Sequence, residues 1–432
     1  MPGEETPHHH GSHEGLLWSP EPSTSGRKQI DAIIIPTVRR PAHLAGAVKL
    51  AQKLDCTLVT LHSGNWTSAA RTARCIPSIV DLIAIDVPET ARLRLPEWKT
   101  SRKLADKVFA RRTDLSAKRN LALMLSYMLD WSRILFLDDD MTGLDADDVR
   151  EASGLLDIYN AVGLRNVGYP DNSVVCHAYR DAGGQQRTFV GGGALAVDLK
   201  RNRSFFPDIF NEDWFFLLDG NKSLQPTAIA GRVVQQPYDP YRTPDRARAE
   251  ELGDVLAEGL YWLLDQGRSI IDADKRHWDM FLNRRRQFVE HVLRLVQKSS
   301  IEPEQKRRMV AALRGSLGRL KLITSGLCAE YLHAWDADQQ QWRRHLDQLC
   351  AGQTRTAALT SLSRADLPHL NWQLGGQSPD PEFKEFAPIR KTPASDDEGR
   401  VANWSPQPMA PAHLAGITTV AASTVRGEGS LI

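Results

Sequence analysis

Two hydrophobic periods share this chain, and the switching between them predicts an α/β protein. Residues 30–35 are an apolar run closed by Pro36-Thr37, which predicts a strand buried on both faces. Residues 41–54 set Leu44, Val48 and Leu50 at helical spacing. Residues 57–61 predict a second strand, ended by His62-Ser63-Gly64, and residues 79–85 a third that ends on Asp86. Asp114 or Ser116 caps a predicted helix running to about residue 129, and a strand over 133–137 follows at once. Strands and helices alternating through short connections predict a sheet built by right-handed crossovers. Residues 174–179, 194–199 and 228–235 read as further strands, and this region closes near residue 243.

Beyond it the period becomes helical throughout. Leu252, Leu256, Leu260 and Leu263 begin a series carried on by Phe281, Phe288, Val292 and Val296, by Val310, Leu313, Leu317 and Leu320, and by Leu327, Tyr331, Trp335 and Trp342. Four amphipathic helices are expected, as a helical appendage or second domain. The ends show no period and are rich in Pro, Gly, Ser and charge, the composition of disordered segments. The expected division is a disordered arm over 1–28, a catalytic α/β domain over 29–243, a helical region over 244–350 and a mostly disordered tail over 351–432. His8, His9, His10 and His13 then belong to a flexible His-rich arm. Pro41-Ala42-His43-Leu44-Ala45-Gly46 recurs at residues 411–416, too far away for a structural repeat.

Composition narrows the class. With 432 residues, 41% hydrophobic, 25% charged and a net charge of +1, nothing global points to nucleic acid or a membrane surface. Residues 275–325 hold 13 Lys and Arg against 4 Asp and Glu, which reads as a solvated helix face before a phosphate-binding patch. Five scattered cysteines without CxxC spacing argue against a disulfide framework or a zinc site and fit a reducing, cytoplasmic setting. No apolar run reaches the roughly 18 residues of a spanning helix, and the N-terminus lacks a signal-peptide layout. A soluble acceptor or small metabolite is the expected partner type.

The chemistry concentrates at residues 134–142, Ile-Leu-Phe-Leu-Asp-Asp-Asp-Met-Thr. Three carboxylates leave a buried strand at the edge where open α/β sheets bind ligands. Adjacent Asp side chains repel unless a cation or proton relieves them, and an all-oxygen set favours Mg²⁺ or Mn²⁺ with a phosphate beside it. Acidic capping of a helix N-terminus is the bland alternative. Lys118 and Arg119 sit early in a predicted helix, where cations are unfavourable unless an anion such as a diphosphate compensates; the alternative is two solvent-facing cations. Gly191-Gly192-Gly193 permits positive φ and close backbone approach to a ligand, or makes a tight turn. Asn211-Glu212-Asp213 offers carboxylates for general-base work, or a capped helix start.

In this order, the Lys-Arg-Asn helix, Phe-Leu-Asp-Asp-Asp after the next strand, the glycine turn and Asn-Glu-Asp resemble the GT-A-fold glycosyltransferases, closest to the large group with cellulose and chitin synthases. The resemblance spans about residues 30–243. It implies a GT-A-like, Rossmann-related mixed sheet flanked by helices and a nucleoside-diphosphate sugar donor. It also implies a metal, Mn²⁺ or Mg²⁺, held by Asp140 with Asp138, and His177 as a candidate further ligand. Thr37, Asp86, Lys118, Arg119, Asp138 and Asp139 would contact the donor. Gly192, Gly193 and Trp214 would face the acceptor. In an inverting displacement Asp213 would be the general base, with Glu212 as its support or an acceptor contact. Two alternatives stay open. Asp138-Asp139-Asp140-Met141-Thr142 also fits the Asp-x-Asp-x-Thr pattern of haloacid-dehalogenase-like phosphatases, although about 100 structured residues precede it. A non-catalytic nucleotide-binding relative is the other.

Overall fold

Alternate residues of the inner strands feed two separate apolar layers, one on each face of a single mixed sheet. The computed structural model describes residues 9–17, 26–88, 93–105, 108–111, 113–169, 172–187, 189–219, 223–363 and 369–375. Among them the strands are β1 (Ala32–Thr37), β2 (Thr57–His62), β3 (Leu82–Asp86), β4 (Arg133–Leu137), β5 (Met141–Thr142), β6 (Ala161–Asn166), β7 (Ala194–Asp198), β8 (Thr227–Gln235) and β9 (Trp372–Leu374). Their order is β5-β8-β6-β7-β4-β1-β2-β3-β9. Strands β3, β2, β1 and β4 run parallel; β7 is antiparallel to both β4 and β6, so β6 and β8 point the same way as β4. The Rossmann-related mixed sheet expected from the sequence is present.

The helices are α1 (Ala45–Leu54), α2 (Ala69–Cys75), α3 (Lys99–Leu104), α4 (Leu115–Met128), α5 (Ala146–Leu155), α6 (Val174–Asp181), α7 (Glu212–Phe216), α8 (Pro244–Asp265), α9 (Lys275–Lys298), α10 (Pro303–Leu320), α11 (Ser325–Asp347) and α12 (Arg355–Thr360). One sheet face collects Ile33, Ile35, Leu58, Leu135 and Leu137 with residues of α1, α2 and α5. The other collects Ile34, Val59, Leu61, Ile134 and Phe136 with residues of α4, α8, α9 and α11.

Four readings change here. The helices after residue 243 are present as expected, but they are not an appendage: Leu256, Leu260, Trp335 and Trp342 share a core with Phe136 and Leu121 and so cover the second sheet face. Residues 174–179 form helix α6, not a strand. Ser173 Oγ accepts the Cys176 N–H at 3.3 Å, and Val174, Val175, Ala178 and Tyr179 pack on Phe288, Val292, Met309 and Leu313. Tertiary burial outweighs the β-branched start. In the expected tail, β9 pairs antiparallel with β3, and Arg355 pairs with Asp81. In the expected arm, residues 9–17 are packed: His10 and His13 are buried by ring contacts with Trp214, Tyr261 and Phe189, which leave no sequence period. His8 and residues 411–416 lie outside the described residues.

Candidate active site

Thr37 ends β1 and Asp138 follows β4, parallel neighbours from which the chain continues toward opposite edges of the sheet, to β2 on one flank and to β5 and β6 on the other. Such a reversal opens a crevice beyond the strand ends. Each carboxylate of the triplet meets its own partners. Asp138 Oδ1 accepts from Arg119 Nη2 at 3.0 Å. Asp139 Oδ2 accepts from Thr37 Oγ1 at 2.5 Å, and its Oδ1 lies 3.3 Å from Arg39 Nε. Asp140 Oδ2 lies 3.7 Å from Arg39 Nη2 and 3.4 Å from Gln235 Nε2. The repulsion that seemed to demand an ion is therefore offset by two arginines. Burial pushes the Asp139 carboxyl up, against the pull of Thr37 and Arg39.

Lys118 and Arg119 are not solvent-facing; both are buried in the first turns of α4. Lys118 Nζ donates to the Thr37 carbonyl at 3.1 Å and to Ser63 Oγ at 2.6 Å, and pairs with Asp114 at 3.1 Å. Burial lowers the Lys118 ammonium, which Asp114 and Asp139 partly offset. Arg119 bridges two elements, donating Nη2 to Asp138 and Nη1 to Glu212 Oε1 at 2.8 Å. Glu212 Oε2 accepts from Arg111 at 2.6 Å. Burial alone would raise Glu212, but the two guanidiniums hold it below the usual carboxylate range. Glu212 is thus a clamp on two arginines, with each oxygen engaged by one guanidinium.

The glycine run serves the same bridge. A Cβ on Gly192 would lie 2.5 Å from Arg119 Nη1, and one on Gly193 2.5 Å from the Met141 methyl. None of the three glycines has positive φ, contrary to that expectation; at Gly192 the close neighbour is Arg119. The Gly192 N–H donates to Asp213 Oδ2 at 2.7 Å, and the Trp214 N–H to Asp213 Oδ1 at 2.9 Å. The Asp138 N–H donates to the Gly193 carbonyl at 2.8 Å. Each oxygen of an ionised carboxylate has a second lone pair, so Asp213 keeps acceptor capacity for a hydroxyl.

These groups border a cleft of about 360 Å³, within the size range of small-molecule sites. Arg119, Asp138, Gly193, Glu212, Asp213 and Trp214 line it, and Gly192 does not. Arg111, Arg165, Arg187, Arg246 and Asn172 line it too and were missed, because they come from loops, a strand end and α8 without a local motif. Thr37, Lys118 and Asp139 form an adjoining group joined to the cleft through the Asp138-Asp139 peptide. Asp86 ends β3, where its Oδ1 accepts the Ala69 N–H at 2.6 Å. Trp214 is 5% exposed, stacked on Phe189 at 5.3 Å and met edge-on by His13, so its ring is mainly core.

His177 is not placed as a ligand: Nε2 is 2.9 Å from the Tyr238 hydroxyl and Nδ1 is 3.2 Å from Arg180 Nη2. Burial, with Arg180 and Arg246 nearby, keeps it neutral well below its ordinary range. Among the described residues, no group of three or more His, Cys, Asp or Glu side chains is arranged to hold a metal ion. The donor set fits Mg²⁺ or Mn²⁺ only in the mode where one or two carboxylates, here Asp138 and Asp140, share the ion with substrate phosphates.

No family model matches the chain, and no curated protein matches it. Among solved structures, A197 from STIV is similar at 16% identity and TM-score 0.26, over 50% of this chain and 92% of that one. Mannosyltransferase PcManGT from Pyrobaculum calidifontis, in complex with GDP-Man and Mn2+, is similar at 15% identity and TM-score 0.32, over 76% of this chain and 87% of that one.

Proposed function

We propose that the chain is a metal-dependent glycosyltransferase that moves a sugar from a nucleoside-diphosphate donor to an acceptor hydroxyl, with inversion. The observation that carries this reading is the buried Arg119 bridge from Asp138 to Glu212, which ties the strand-end carboxylates to the turn holding Asp213. Charge on the departing diphosphate needs cations fixed beforehand, and the acceptor needs a base fixed near them. Lys118, Arg39 and Arg119 supply the fixed cations, all beside Asp138–140 or Thr37. A bound Mg²⁺ or Mn²⁺ would add Lewis-acid neutralisation of the diphosphate. Asp213 takes the acceptor proton as the hydroxyl attacks the anomeric carbon. Its two backbone N–H contacts hold the carboxylate in one orientation. Glu212 acts through the arginines it clamps.

The test is titration of a panel of nucleoside diphosphates and their sugars, with and without Mn²⁺, followed by assay of donor hydrolysis. Metal-dependent nucleotide binding is expected. Asp213→Asn should keep donor binding and lose at least about a hundredfold in transfer, the scale of general-base contributions. Unchanged turnover in that variant would remove Asp213 from the mechanism. An aspartyl-phosphate trapped on Asp138 would instead establish the phosphatase alternative.

A further inference from the structure

We propose that Arg39 is a built-in counter-ion that occupies the metal position at Asp140 until a nucleoside diphosphate arrives, so that Mn²⁺ and nucleotide bind cooperatively. This rests on the glycosyltransferase reading for the nucleotide, though not for the exchange of cations. Two arginines of different kinds serve the acidic triplet. The Arg119 side chain is 2% exposed and fastened at both ends, by Asp138 and by Glu212. The Arg39 side chain is 38% exposed and spans two carboxylates, with Nε 3.3 Å from Asp139 Oδ1 and Nη2 3.7 Å from Asp140 Oδ2. Its backbone is pinned, because the Arg39 N–H donates to Thr37 Oγ1 at 3.0 Å and that hydroxyl donates to Asp139 Oδ2 at 2.5 Å. Movement is therefore left to the outer end of the side chain. The neighbouring Arg40 is engaged elsewhere, its guanidinium carbon 5.2 Å from the Trp66 ring centroid.

The three carboxylates are held to different degrees. Asp138 receives Arg119 at 3.0 Å and Asp139 receives Thr37 at 2.5 Å, whereas Asp140 Oδ2 is met by Arg39 at 3.7 Å and by Gln235 at 3.4 Å. Charge-assisted hydrogen bonds run at about 2.7–2.9 Å, so the Arg39 contact on Asp140 is a charge pairing without a formed bond. It is the contact that a better ligand displaces at least cost. A divalent ion on the same oxygen would stand close to the guanidinium, and two cations repel strongly at such range. Metal alone must therefore work against Arg39. A diphosphate changes the balance, since its oxygens can accept from Arg39 Nη2 while sharing an ion held by one or two carboxylates. The outer end of Arg39 then turns from Asp140 to phosphate, while Nε stays beside Asp139. Coupling is reciprocal: the factor by which nucleotide raises metal affinity is the factor by which metal raises nucleotide affinity.

The probes are Mn²⁺, GDP, UDP and ADP, titrated into the full chain at constant ionic strength. Free Mn²⁺ is read by electron paramagnetic resonance and nucleotide binding by calorimetry. In the unaltered chain at least one nucleotide should raise Mn²⁺ affinity by about tenfold or more. Arg39→Ala should bind Mn²⁺ alone about tenfold more tightly, a gain that damage to the fold would not produce. Its coupling between Mn²⁺ and nucleotide should fall below about threefold, and adding Asp140→Asn should remove the gain. Arg39→Lys, which keeps the charge, should bind Mn²⁺ alone as weakly as the unaltered chain does. Unchanged or weaker Mn²⁺ binding in Arg39→Ala overturns the proposal. So does a gain with the coupling intact, which would make Arg39 a plain neutraliser of the triplet. Absence of nucleotide binding in both chains would sink the glycosyltransferase reading, while the Mn²⁺ gain would still uphold the exchange of cations at Asp140.

Discussion

Replacing Arg285 by Met should destabilise the protein more than any surface change, and the penalty should depend on pH. Arg285 is fully buried between α9 and α8, donating to Glu251 at 2.9 and 3.0 Å, to Asp254 at 2.7 Å and to Glu258 at 3.0 Å. One cation facing three carboxylates leaves a net negative cluster, and Asp254 is held well above the usual range by burial, with Glu258 and Glu251 adding to the effect of burial and Arg285 opposing it. Removing the cation strands Glu251 and Glu258 in a dry interior. Breaking one buried pair this way costs about 3–5 kcal/mol, against a total stability of about 5–15 kcal/mol. Carboxylates left alone acquire raised folded-state pKa values. Their neutral forms are favoured below those values, so the penalty shrinks in acid and grows with rising pH. Urea unfolding followed by tryptophan fluorescence at pH 5 and pH 8 measures it. We expect a loss of at least about 3 kcal/mol at pH 8, smaller at pH 5, with partial recovery when Glu251→Gln and Glu258→Gln are added. A loss below about 1 kcal/mol, or one equal at both pH values, would refute the reasoning. The same cluster reaches the site: Asp254 Oδ1 accepts from Asn211 Nδ2 at 3.0 Å, and Asn211 holds φ 61° just before Glu212 and Asp213.

Two further outcomes are expected. Burial depresses His62 and His277 to about 4, so the unfolded chain binds more protons between pH 4 and 6.5, and stability present above 6.5 is lost as pH falls. Each contributes about 3 kcal/mol by pH 4, while Asp208, raised to about 6 by burial, opposes them by a similar amount over pH 4–6. Among these three groups the balance is a loss of stability on acidification, and thermal melts should show a smaller acid-induced drop in His62→Gln than in the unaltered chain. Gly192→Ala would thrust a methyl 2.5 Å from Arg119 Nη1 and displace the guanidinium. Transfer should fall by at least about tenfold while the melting temperature drops only modestly, since overpacking costs about 1–3 kcal/mol; unaltered kcat would show that the bridge is not needed.

Elements with a strong local signal were legible and those made by long-range packing were not. The apolar runs of β1, β2 and β4 and the heptad-like leucines of α8 are present where the pattern puts them. The acidic triplet, Arg119 and Glu212-Asp213 do come together, because a strand end and a helix start announce themselves locally. The partners of those residues were hidden. Nothing near Asp139 in sequence indicates Arg39 or Thr37, about 100 residues earlier, and nothing near Glu212 indicates Arg111. The Val174-Val175 pair reads as strand because its burial against α9 and α10 is invisible to periodicity in so short a window.

The packing of residues 9–17 bears on how the chain is made. His10 Nδ1 pairs with Asp265 at 2.7 Å and His13 Nδ1 accepts the Val190 N–H at 3.0 Å, partners 255 and 177 positions downstream. At about 5–20 residues per second of synthesis, this segment waits roughly 10–50 s for its seat to emerge from the ribosome. Made well before its partners, this segment covers the start of the glycine turn beside Asp213 only once α8 exists.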